Sequence, residues 1–217
     1  MQTLTEQVYL HAPPGGLFDQ TLVRNLFPDH STGARNLLMH RALDSGEVHR
    51  LKRGLYVLSE PFRETQPHPF AVAPMLYAPS VISLESALSI HTLIPEAVYQ
   101  ITSTTPKRSY QTSNPLGEFV FNRIPTANPL AGVEAIKLDD FFWGFVATPF
   151  KAIADLVYLR KEVSWIDDGI AFLTESMRIE REELCDIPLT TADEIIDSVR
   201  TQRTREFMTH LKREIQS

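Results

Sequence analysis

The sequence predicts an α+β protein: a small N-terminal domain of short helices and one hairpin, then a larger mixed domain that ends in helices. Three observations lead there. Helix caps and helix breakers alternate at short intervals through residues 1–46. A hairpin signal, VHRLKRGLYVLS, follows at 48–59. Beyond a proline-rich stretch, β-propensity runs are interleaved with helical ones, and the chain from residue 165 onward is mostly helical.

The first helix is predicted over Leu4–His11, because Pro13, Pro14, Gly15 and Gly16 cannot continue it. Asp19 is placed to cap a short second helix through 21–26. Residues 28–31 make a turn, and Ser31 or Asp29 caps a third helix of about 32–45 that Gly46 stops. At helical spacing Ala34, Leu37, Leu38 and Ala42 fall on one arc, the expected core face. Arg35, Asn36, Met39, His40 and Leu43 fall on the other, with Arg41 near the apolar edge. Strands of about 47–51 and 55–59 follow, joined by Lys52, Arg53 and Gly54, the glycine supplying the positive φ of a tight turn. Leu55–Leu58 is apolar on both faces, so the second strand is expected to be well covered.

Residues 60–69, EPFRETQPHP, carry three prolines. They place a linker at 61–69, between a first domain of residues 1–60 and a second of 70–217. In the second domain Phe70–Tyr77 and Ser83–His91 read as short helices, and 98–104 and 118–124 as strands. Residues 133–138 and 141–147 fit a hairpin around Asp139 and Asp140. Thr148 followed by Pro149 opens a helix that runs through Arg160. A charged amphipathic helix from about Ala192 closes the chain. Trp143 and Trp165 are expected in the core, and Asp167 and Asp168 at a turn or cap.

Composition narrows the function. With 21 Lys+Arg against 27 Asp+Glu, the net charge of -6 excludes a protein that coats nucleic acid over its whole surface, but it leaves a local basic patch open. No apolar run approaches the ~18–20 residues that span a bilayer, so no membrane association is expected. The start, MQTLTEQVYLHAPPGG, has no basic leader and carries Glu6 early, which is not a secretion signal. Cys185 stands alone, as in a protein of the reducing cytoplasm. The chain contains no G-x-S-x-G, Walker A loop, G-x-G-x-x-G or H-E-x-x-H, and its seven histidines lack metal-ligand spacing. No cofactor, no metal and no enzymatic activity are therefore expected. Ser86, Glu85 and His91 share one short segment, but there Ser83 reads as a helix cap and the others as partners of local backbone.

Three helices and a basic hairpin within about sixty residues is the layout of a winged helix-turn-helix. A helix fits the major groove of duplex DNA, where polar side chains read base edges, and a cationic hairpin follows the phosphates beside it. Residues 24–57 hold six Lys+Arg (24, 35, 41, 50, 52, 53) against three Asp+Glu (29, 44, 47), a local excess of three positive charges in an acidic chain. The candidate base-reading residues are Arg35, Asn36, His40 and Arg41 on the third helix. Arg50, Lys52 and Arg53 on the hairpin are the candidate phosphate contacts.

Two stretches together carry a resemblance. One is the N-terminal run ending LDSGEVHRLKRGLYVLS. The other is HPFAVAPMLYAPSVISLESALSIHTLIPEAVYQITSTTPKRS, followed by LGEFVFNRI. With ATPFKAIADLVYL at 147–159, they make residues 4–160 similar to the AbiEi-type antitoxins of type IV toxin–antitoxin systems. The more specific matches are Pro79–Leu88 and Leu93–Glu96, and Phe150 stands where the family usually has an acidic residue. The resemblance implies a winged-helix repressor that binds inverted repeats of double-stranded DNA in its own promoter. It also implies a second domain that opposes a nucleotidyltransferase-like toxin without forming a stable complex. Two other functions fit the residues. One is a stand-alone winged-helix transcription factor whose second domain mediates protein contacts. The other is an enzyme built on Ser86, Glu85 and His91.

Overall fold

In a computed structural model, which describes residues 3–95 and 99–216, the chain is a mixed α+β protein. Glu96, Val98 and Ser217 lie outside the described residues, and with them the end of the Leu93–Glu96 motif and the first residue of the strand expected at 98–104. The chain divides into two compact units. The first comprises Met1–Leu76, Ser113–Gly117 and Lys137–Trp143, and the second Tyr77–Thr112, Glu118–Ile136 and Gly144–Ser217. The first unit thus takes in the proline-rich segment and the helix that follows it.

The first unit begins with α1 (Leu4–His11), held by a reciprocal cap. The Glu6 amide donates to Thr3 Oγ1 (3.2 Å), and the Thr3 amide donates to Glu6 Oε2 (2.8 Å). After the Pro-Gly turn, β1 (Leu17–Asp19) leads into α2 (Gln20–Leu26), whose Leu22 amide donates to Asp19 Oδ1 at 2.9 Å. Helix α3 (Thr32–Asp44) starts on Ser31, which accepts from the Ala34 amide, and stops at Gly46 with φ of +73°. Then come β2 (Val48–Lys52) and β3 (Leu55–Leu58), turned by Gly54 at φ of +85°.

The sheet order is β1-β3-β2, with β3 antiparallel to both neighbours. Strand β1 is too short and too close to a helix cap to show a period in the sequence. It places β3 in the middle, which is why Tyr56, Val57 and Leu58 are all buried. A bulge between Arg50 and Lys52 resets the alternation of β2, so Val48 and Leu51 are both buried although they are three positions apart. The core joins Leu4 and Val8 of α1, Phe18, Val23, Phe27, Met39, Ala42, Val48, Tyr56 and Leu58, with Phe18 stacked on Tyr56.

The core face of α3 differs from the expected arc. Met39 and Ala42 are buried, with Leu38 and Leu43 packed beside them, while Leu37 is 51% exposed. The helix is turned by about one residue from that arc, with Met39 in the core beside Phe27, Val48 and Tyr56 and Ala34 half-buried. Helix α4 (Pro69–Leu76) completes the unit. His68 caps it: Nδ1 accepts from the Phe70 amide at 3.2 Å, and Pro69 takes the first helical position, where no N–H is needed.

In the second unit β4 (Val81–Ile82) leads into α5 (Leu84–Ile90). The six-stranded sheet has the order β6-β7-β5-β4-β9-β8, from β5 (Gln100–Thr105), β6 (Tyr110–Asn114), β7 (Gly117–Arg123), β8 (Val133–Lys137) and β9 (Trp143–Ala147). Strand β5 runs antiparallel to β4 and parallel to β7, and β4 runs parallel to β9. Trp143 is 62% exposed, on the outward side of β9, contrary to the core position expected for it. Trp165 is half-buried between Phe207 and His210.

Helix α6 (Pro149–Leu159) is buried from Phe150 through Val157 and packs on α5. Behind it lie α7 (Arg181–Cys185), α8 (Ala192–Ser198) and α9 (Gln202–Gln216), so the single closing helix expected from Ala192 is two helices broken at 199–201. Two polar devices hold α6. Lys151, 6% exposed, pairs with Asp155, 2% exposed, whose other oxygen accepts from Ser83 Oγ at 2.7 Å. Arg203 of α9 donates to the carbonyls of Val157, Arg160 and Val163, tying the last turn of α6 and the segment after it to α9.

Asp155→Ala strands the buried Lys151 ammonium and should lower stability by about 3–5 kcal/mol in urea unfolding. The triple replacement Ser83→Ala, Lys151→Met, Asp155→Leu removes the whole polar set and should recover most of that stability. His68 titrates below its ordinary value of 6.5, because burial disfavours the imidazolium more than Asp139 favours it. Its contribution is complete above pH 6.5 and is lost as pH falls toward the lowered folded value, since the unfolded chain then binds the proton more readily. His68→Asn keeps the cap without the titration. Urea midpoints measured between pH 7.5 and 5.5 should fall less steeply for this variant than for the wild type.

Candidate nucleic-acid interface

The outward face of α3 follows from the way its inward face is fixed. With Leu38, Met39, Ala42 and Leu43 turned to the core, Gly33, Asn36, Leu37, His40, Arg41 and Asp44 are left on the exposed side. Three of the four expected base-reading residues, Asn36, His40 and Arg41, therefore share one face. Arg35 does not. It is half-buried, with Nη1 donating to the Phe27 carbonyl at 3.2 Å, and it ties α3 to the turn before it. His40 Nδ1 lies 2.6 Å from Asp44 Oδ2 across one helical turn, an exposed pair of the kind worth a few tenths of a kcal/mol.

The hairpin separates its three cations into two roles. Arg50 and Arg53 are exposed, and neither makes a side-chain hydrogen bond or ion pair among the described residues. Lys52 is exposed along its stem, but its ammonium donates to the Leu76 carbonyl at 3.2 Å, at the last residue of α4. That carbonyl is among those a helix terminus leaves without an amide partner, so Lys52 serves the fold.

Two further residues belong to this face. Arg24 of α2 is exposed, has no partner among the described residues, and lines a cleft of about 330 Å³ with Thr32, Arg35 and Asn36. It counts toward the local charge excess, yet only the packing of α2 beside α3 brings it next to Asn36. Leu37 is the other, and its apolar character alone suggests the core. The signal against that reading is Met39, whose volume competes for the same interior.

Around α5 the three residues of the alternative centre have separate partners. Ser86 Oγ donates to the Gln100 carbonyl at 3.2 Å and accepts from the Thr102 amide at 2.8 Å. Glu85 pairs with Arg160 at 3.1 Å. His91 Nε2 lies 3.0 Å from the Ala147 carbonyl and 3.6 Å from Glu134. Nor does Ser83 cap α5 through its hydroxyl, which is taken by Asp155. Thr102 Oγ1 accepts from the Ser86 amide at 3.1 Å in its place. Among the described residues no helix is long and apolar enough to cross a membrane, and no three His, Cys, Asp or Glu are grouped to hold a metal ion.

No protein-family model matches this chain, and no curated protein sequence matches it.

Proposed function

We propose that this chain is a sequence-specific DNA-binding repressor that serves as the antitoxin of a type IV toxin–antitoxin system. The observation that carries the DNA half is one exposed helix face, with Asn36, His40 and Arg41, next in the chain to a hairpin whose Arg50 and Arg53 are unpaired among the described residues, in a protein of net charge -6. The order helix, strand, helix, helix, hairpin, with β1 completing the hairpin's sheet, supports a winged helix. On this reading α3 enters the major groove. There Asn36 pairs with adenine, and Arg41 and His40 contact guanine or phosphate. Arg50, Arg53 and Arg24 neutralise phosphates and release counterions. Arg35 and Lys52 act through position, by holding α3 and α4.

The antitoxin half rests on the resemblance of Pro79–Leu88 and residues 147–159 to AbiEi-type antitoxins. Its operator would be inverted repeats in its own promoter, and its antagonist a nucleotidyltransferase-like toxin opposed without a stable complex. The separate hydrogen-bond partners of Ser86, Glu85 and His91 support a non-catalytic role.

The test uses the full chain and the DNA upstream of its own gene. Replacing Arg50 and Arg53 by Ala should make log K against log[salt] shallower by about 1.8, at ~0.9 for each phosphate that is no longer neutralised. Adding Lys52→Ala should change that slope little. An unchanged slope in the double variant would make the hairpin ordinary solvated surface. Cells expressing a nucleotidyltransferase-like toxin from an adjacent gene should survive when this chain is co-expressed. Death of those cells despite intact promoter binding would leave a transcription factor whose second unit serves other protein contacts.

A further inference from the structure

Two residues on the outward face of α3 have no explanation inside the protein. Leu37 is 51% exposed, an apolar side chain between Asn36, His40 and Arg41 on a face that is otherwise polar. Gly33 lies one turn earlier on the same face. A Cβ at Gly33 would meet nothing nearer than Ser31 Oγ at 3.9 Å, and its φ is not in the left-handed region. Alanine would fit there and would favour the helix, so neither internal space nor backbone conformation calls for glycine. Helical side chains lean toward the N-terminus, which directs Leu37 over the bare turn at Gly33. The missing Cβ at Gly33 beside the exposed Leu37 leaves room for a notch with an apolar wall, at the N-terminal half of the helix.

We infer that this notch receives the C5-methyl group of a thymine, with Leu37 as the apolar contact and Gly33 as the space that lets the base edge approach. The inference rests on the DNA-binding reading and deepens it. The occupant is duplex DNA because the notch shares its compact unit with Arg24, Arg41, Arg50 and Arg53, all exposed and unpaired among the described residues. In the major groove the thymine methyl is the apolar feature that a leucine can match. Base contacts of helix-turn-helix proteins come from the N-terminal residues of the reading helix, where Gly33, Asn36 and Leu37 stand. Asn36 lies next to Leu37 and has the amide that pairs with adenine N6 and N7, so the notch and Asn36 together select A·T pairs.

The experiment selects duplexes from a random DNA pool with the full-length protein, then replaces each thymine of a selected duplex by deoxyuridine, which removes only the methyl group. Wild-type binding should weaken about fourfold at one thymine of each half-site, the value of one buried methyl-sized group. Leu37→Ala should bind the thymine and deoxyuridine duplexes equally. Gly33→Ala should raise the melting temperature and yet weaken binding to the selected duplex, a divergence that a purely structural glycine would not produce. Equal sensitivity to deoxyuridine in wild type and Leu37→Ala, or unaltered binding by Gly33→Ala, overturns the notch while leaving DNA binding intact. Failure of the wild type to enrich any duplex overturns the DNA-binding reading and the notch with it.

Discussion

The central position of β3 in the N-terminal sheet constrains everything around it. A strand with neighbours on both edges and side chains buried on both faces cannot slip in register without exposing Tyr56, Val57 or Leu58. Its pairing with β1 fixes Asp19, and through that cap the start of α2. Its pairing with β2 fixes the turn at Gly54, and so the places of Arg50 and Arg53. Arg50 on β2 and Arg53 in the turn are thus placed by pairing with the most tightly determined strand of the unit.

In the second unit the corresponding constraint is α6, a helix buried on nearly all sides that still carries Lys151 and Asp155. Two buried charges are tolerable because each neutralises the other and Ser83 supplies a further hydrogen bond. That bond joins the start of α5 to the middle of α6. It sits beside Leu84, whose φ of +60° is a conformation a leucine rarely adopts and whose side chain is itself buried. Arg203 then closes the far end of α6. The residues from Ser83 through Leu88 and along 150–157 are largely packing positions of this kind. They specify how the unit is built, and Phe150 fits among them as one more buried side chain.

Charge follows the same division. The acidic excess of the chain is not spread evenly, and the exposed arginines of residues 24–53 are the exception to it. An exposed, unpaired guanidinium contributes little to stability in high dielectric, so Arg24, Arg50 and Arg53 add little to the folding of this unit, while Arg41 stands in the last turn of α3, where a cation suits the helix terminus.

Local chemistry was legible in the sequence wherever a few adjacent residues decide it. Thr148, Ser31 and Asp19 each accept from a helix amide three residues on, as their types and positions required. Gly46 and Gly54 take the positive φ of their turns. Asp139 accepts from the amides of Phe141 and Phe142 at the hairpin, and Asp167 and Asp168 bind Ser164 in a turn. What only the tertiary structure decided depends on competition between distant residues for the same space. Helical spacing puts Leu37 on the expected core arc and Met39 on the other, yet the interior formed by Phe27, Val48 and Tyr56 takes Met39 and leaves Leu37 exposed. Lys52 reads as one of three like cations until the end of α4 offers it the Leu76 carbonyl, 24 residues away. Strand β1 has three residues and no pattern of its own, and it exists because β3 presents a free edge. Caps and turns are short-range hydrogen-bond problems with one solution each, whereas burial is a shared resource that only the assembled chain can allocate.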